Sequence, residues 1–190
     1  MAAIDDHVRD VVFPALREYW EAETSLSEAV AENHENLREF RISVMRRART
    51  ASLELNHLAD VALATGDPRL TVRTLDAVRD LVRKHCEYLR GGEACNDTAL
   101  VRDVADAFKH HTLDRASSSV SGQEAVVACH SGYNDLPLGE GKYGGSEQVV
   151  VTLKDGTRRA LTCILQNASD AWLRLLGSDL PELSMFPSDA

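Results

Sequence analysis

From Pro14 to Val30 the apolar residues fall at Leu16, Tyr19/Trp20, Leu26 and Ala29/Val30, a spacing of threes and fours that predicts a helix with one buried face. Pro14 suits its first turn, where the missing N–H has no intrahelical partner in any case, and a short helical turn can precede it. Asn33 is the expected cap of a second, longer helix. There Leu37, Phe40, Val44, Ala48, Ala51, Leu55, Leu58 and Ala62 alternate threes and fours for about seven turns. At about 100° per residue, Ile42, Met45 and Leu53 fall on a second side, so this helix is expected to be central and packed on two faces.

Gly66-Asp67-Pro68 reads as a stop followed by a cap and a first helical position, which starts a third helix running to about Arg90. Its inward residues are Leu75, Val78, Leu81, Val82, Cys86 and Leu89. Gly91-Gly92 breaks the pattern, and Asn96 or Asp97 caps a fourth helix with Leu100, Val101, Val104, Ala105 and Phe108 on its apolar face, ending before Arg115.

Beyond Ser117-Ser118-Ser119 the period changes to two and β-branched residues dominate. Strands are expected at Ala125–His130, Gln148–Leu153 and Thr157–Leu161, with Asp155-Gly156 as a two-residue hairpin between the last two. Thr162 is the expected cap of a final helix carrying Ile164, Leu165, Ala168, Trp172 and Leu176 inward, with Gly177 at its end. The fold class is therefore α+β: an antiparallel four-helix bundle-like body (14–115), a three-stranded antiparallel meander (117–162) and a C-terminal helix (163–177). A sheet this small needs a cover, so all three parts are expected to form one compact domain over 1–177, followed by a loose, proline-bearing tail at 178–190.

Composition bounds the function. With 190 residues, 44% of them hydrophobic, the chain can bury one core. Its 30 acidic and 21 basic residues give a net charge of -9, a field that repels nucleic acid and anionic membranes unless a local patch overrides it. Charge at Asp5 leaves no apolar core for a signal peptide, and no stretch reaches about 18 apolar residues, so a cytoplasmic location without membrane contact is expected. Cys86, Cys95, Cys129 and Cys163 show no metal-ligand spacing and read as reduced thiols. Glu54-x-x-His57 has the spacing of a di-iron ligand pair but no second copy, so no metal and no cofactor is expected.

Three constellations could carry chemistry. Gly139-Glu-Gly-Lys-Tyr-Gly144 is a G-x-G-x-x-G set, but between two strands it lacks the helix N-terminus a dinucleotide needs, and no H-R-D or D-F-G follows to make a kinase. It is expected to be a long hairpin loop pinned by Tyr133 and Tyr143, with Gly139, Gly141, Tyr143 and Gly144 as ligand-binding candidates. Continuing the fourth helix, His111 falls beside Leu100 and Val104 and faces inward, while His110 falls with Asp103 and Asp106 and pairs with a carboxylate. His111 is then either a core histidine with one partner or, with His57, part of a small-molecule pocket between bundle and sheet. Arg38, Arg41, Arg46, Arg47 and Arg49 form a basic run on the long helix, read as a solvated, acid-paired face or as an anion site of Arg38, Arg41, Arg46 and Arg49.

Arg79-Asp-Leu-Val-Arg-Lys-His85 resembles the arginine-then-histidine motif of the HEPN superfamily, helical-bundle proteins of which many are ribonucleases. The resemblance covers residues 14–115 and implies that Arg79 stabilises charge and His85 acts as acid–base at a dimer interface; on a ribonuclease reading His111 would line the same cleft. Residues 103–114 also resemble a signature of uncharacterised bacterial proteins that join such helices to a glycine-rich hairpin. No catalytic set is complete, so the leading expectation is a non-catalytic binding or assembly protein that forms a homodimer. Its rivals are a metal-independent ribonuclease acting on RNA and a small-molecule-binding protein.

Overall fold

The computed structural model describes residues 3–90, 93–130, 136, 140–141 and 147–177. Gly91-Gly92, Tyr133, Gly139, Tyr143, Gly144 and the tail at 178–190 lie outside the described residues.

Helix α1 (Ala3–His7), a π-helical turn (Val8–Val12) and α2 (Phe13–Ala31) follow one another without a break. The wide turn explains how Pro14 sits inside a longer helix: its ring would clash with the carbonyl of the preceding turn, and the π segment opens that turn. Asn33 does not cap the next helix. It adopts a left-handed φ of 55° and closes α2, its N–H bonding Val30 O at 3.1 Å while His34 N–H bonds Ala29 O at 2.9 Å. Helix α3 (Leu37–Thr65) then starts after Asn36 and ends at Gly66 in the left-handed region.

The long stripe of α3 is buried at Val44, Ala48, Ala51, Leu55, Leu58 and Ala62, and the helix touches α2, three later helices and two strands. Packing on two faces holds only in part. Met45 and Leu53 are half-buried, whereas Ile42, on the outer side of the first half of α3, is 38% exposed.

The third helix is shorter than its pattern implies. Asp67 caps nothing there; it is buried and binds the Arg69 side chain, which also reaches Asp5 at 2.8 Å and the Leu176 carbonyl at 3.0 Å. Helix α4 (Leu75–Arg83) begins after Thr74, whose hydroxyl accepts from Ala77 N–H, and stops seven residues before Arg90. A two-residue ladder, β1 (Leu89–Arg90) with β2 (Glu93–Ala94), follows, and Asn96 caps α5 (Asp97–Lys109).

The sheet is the expected antiparallel meander, in the order β3 (Val126–His130), β4 (Glu147–Thr152), β5 (Arg158–Ala160). Val149 faces Ala128 and Ala160 faces Val150 across the ladders. The β4–β5 turn has three residues rather than two, Lys154 to Gly156, because Leu153 N–H bonds Thr157 O and Gly156 takes a φ of 83°. Helix α6 (Leu161–Leu176) leaves β5 directly and ends at a left-handed Gly177. The fold is α+β, and one contiguous apolar core links Ile4, Leu16, Val44, Val104, Val149, Ile164 and Leu176.

The segment after α5 is held to the sheet by bridges Thr112↔Gly122 and Val120↔Leu153. A Cβ on Gly122 would lie 2.2 Å from His111 O, so only glycine permits this approach. Gly122→Ala is expected to destabilise the protein by about 1–3 kcal/mol, read as a lower urea midpoint with an unchanged slope.

Candidate functional site

Two buried polar knots tie the helical body to the sheet. The first centres on Glu23 of α2, which is fully buried. Its carboxylate accepts from Tyr19 Oη at 2.7 Å, Thr162 Oγ1 at 2.7 Å and Val149 N–H at 2.9 Å, joining α2, α6 and β4. Thr162, expected as a cap, serves here instead. Burial, reinforced by the neighbouring Glu23 charge, pushes the Tyr19 phenol well above its ordinary range. At the rim, Glu147 takes a bidentate pair from Arg41 of α3, with Nε to Oε2 at 2.8 Å.

The second knot centres on Arg159 of β5, whose side chain is 4% exposed. It forks onto Asp97 at the first turn of α5, at 3.0 and 3.1 Å, and its Nε pairs with Glu140. Asp97 also accepts from Asn167 Nδ2 at 2.8 Å, Glu140 accepts from Ala160 N–H at 3.1 Å, and the Tyr88 ring lies 5.5 Å from the guanidinium. Burial opposes the Arg159 cation, but the contacts with Asp97 and Glu140 outweigh it and raise the group's pKa. Burial also pushes the Glu140 carboxyl up, against the pull of Arg159. Beside them Gly141, at a φ of 68°, donates its N–H to Cys163 Sγ at 3.1 Å; a Cβ there would meet Gln148 Oε1 at 2.2 Å.

The chemistry of this seam is structural. Its cation is matched by two carboxylates, and burial pushes the Cys163 thiol up to about 11 and Tyr88 up to about 12, so neither is a nucleophile at neutral pH. The small pocket between α3, α4, α5 and α6, lined by Leu55, Arg79, Val101 and Trp172, measures about 20 Å³, room for one water. Among the described residues no cluster of three or more His, Cys, Asp or Glu could hold a metal, and no helix is long and apolar enough to cross a membrane.

The sequence candidates are dispersed. Helix α5 stops at Lys109, so its angles do not extend to His111, whose side chain is exposed rather than inward; its carbonyl accepts from Gln123 N–H. His110 is exposed too, and the carboxylates expected to hold it are engaged elsewhere: Arg115 binds both Asp103 and Asp106. His57 is exposed on α3. Arg79 lies on α4, but His85 follows the helix end in a turn, so the two do not share a helix face. Arg79 borders an open groove with Asp76, Arg83 and Arg102, which His85 does not line; burial, then the nearby Arg102, lowers its pKa.

Of the basic run on α3, Arg41 belongs to the seam and Arg47 pairs with Glu18 of α2. Arg38, Arg46 and Arg49 are exposed and form no ion pair with a described residue. Arg46 lines an open groove along α3 with Glu39, Ile42, Ser43, Arg47 and Thr50, adjoining a second groove between α2 and α3 lined by Ala22, Ser25, Phe40 and Ser43.

Sequence reasoning missed Glu23, Asp97, Glu140 and Arg159 as partners. Glu23 had a signal, an acid on the inward stripe between Tyr19 and Leu26. Arg159 had none, because its partners come from α5 and from the segment before β4. No protein-family model, curated protein or solved structure matches the chain.

The raised thiol gives a pH dependence. Cys163 holds its proton to about 11 when folded against an ordinary value of 9.0, so the folded state binds more protons in that window and stability falls as pH rises through it. Denaturant midpoints measured from pH 8 to pH 11 should therefore decline, and Cys163→Ala should flatten part of that decline.

Proposed function

We propose that the protein is a non-catalytic assembly protein that acts as a homodimer, with the outer face of α3 as its contact surface. The observation that supports this reading is a division between inside and outside. Buried ionisable groups are matched to one another across the seam, whereas the outer side of α3 leaves Ile42 open beside the exposed Arg38, Arg46 and Arg49. A long helix with an uncovered apolar position, small neighbours Ala22, Ser25 and Ser43, and charges of both signs is suited to helix-on-helix docking.

Metal-independent RNA cleavage is the rival reading, supported by the groove where Arg79, Arg83 and Arg102 lie among Asp76 and Asp80. One pair of measurements on the full chain separates the two. Light scattering across a concentration series should give a dimer mass, and a fluorescent RNA incubated with the protein should stay intact. A strict monomer, together with RNA loss abolished by Arg79→Ala, would replace the assembly reading with the ribonuclease one.

A further inference from the structure

We infer that the partner on α3 is a second copy of the chain, docked antiparallel about a two-fold axis that passes between Ile42 and Ser43, so that Glu39 of each copy faces Arg46 of the other. This rests on the assembly reading above and adds the register.

The stripe that fixes the register is Glu39, Ile42/Ser43, Arg46 and Thr50, residues three, four and seven apart that line one open groove. About 1.5 Å of rise per residue spreads it over roughly 16 Å, three turns of contact. A two-fold contact is self-complementary, each residue meeting a symmetry partner at the mirrored position. Glu39 and Arg46 are equidistant from the midpoint between Ile42 and Ser43, so the axis that brings the open Ile42 side chains together also juxtaposes the two opposite charges, twice. Neither charge forms an ion pair with a described residue of its own chain. The same axis sets Arg38 across from Arg47, whose charge is already matched by Glu18, so this cation meets a neutralised pair. Ser43, Ser25 and Ala22 beside the axis are small enough for the helices to approach closely.

The occupant is a second copy rather than an acidic ligand because the face is not uniformly basic. Glu39 lies within the groove, where it would repel an anion but complements the Arg46 of a copy.

Sedimentation equilibrium of the full chain, with Glu39→Arg, Arg46→Glu and the double swap, tests the register. Each single reversal should weaken self-association about tenfold or more, and the swap should restore it to within about threefold of the unaltered chain. A mere net-charge effect would move the single variants in opposite directions, since one makes this acidic chain less acidic and the other more so. Both positions are exposed, and circular dichroism checks that the variants remain folded. If the unaltered chain dimerises but the reversals leave it unchanged, or the swap fails to restore it, the register is overturned and the assembly reading stands. If the unaltered chain stays monomeric at about 100 μM, both are overturned.

Discussion

Arg159 cannot leave water unless its charge is matched, and most of the architecture can be understood as the means of matching it. An isolated buried guanidinium would cost several kcal/mol even after relaxation. The chain supplies Asp97 from the first turn of α5, Glu140 from the segment before β4, and Asn167 of α6 to satisfy the remaining lone pairs of Asp97. The strand that carries Arg159 has only three residues and runs straight into α6. Register in so short a strand is weakly fixed by backbone bonds alone, and the ion pairs add a constraint on where β5 lies relative to α5 and α6. Glu23 adds a second constraint, anchoring β4 to α2 through a backbone N–H and to α6 through Thr162.

These knots explain why the chemistry suggested by residue types does not assemble into an open site. Carboxylates, a cationic side chain, a thiol and two phenols lie close together, an inventory that would suit catalysis if it faced a cleft. Burial instead holds the thiol and phenols protonated, while Asp97 and Glu140 keep the guanidinium charged against it. Among the described groups that face water are the histidines His57, His110 and His111, the arginines around Arg79, and the outer face of α3. The α3 face pairs an exposed apolar side chain with charges of both signs, a combination suited to a protein partner.

Much of the fold was legible because it rests on local patterns. The stripe from Val44 to Ala62, the left-handed Gly66 and Gly177, the Asn96 cap and the valines of β4 are each signalled within one element. The misreadings occurred where surroundings in space, not the local pattern, decided a residue's role. Asp67 and Thr162 looked like helix caps because their neighbours fit that role, but Arg69 and Glu23 hold them. His111 was placed by extending a helix two residues past Lys109, where the chain instead turns to pair with Gly122. Ile42 was assigned to a buried face because its period is helical, yet periodicity cannot say whether another element exists to cover that side. The candidate contact surface was thus visible as a pattern and invisible as a surface.

Whether the ionic seam holds the fold together can be read from a double-mutant cycle on Arg159 and Asp97 in urea unfolding. Arg159→Met should cost about 3–5 kcal/mol, since it strands two buried carboxylates, Asp97→Leu, which leaves Arg159 with Glu140 alone, should cost about 1.5–3 kcal/mol, and the double variant should cost less than their sum by about 1–3 kcal/mol. Single variants that each cost under about 1 kcal/mol and combine additively would contradict that role for the seam.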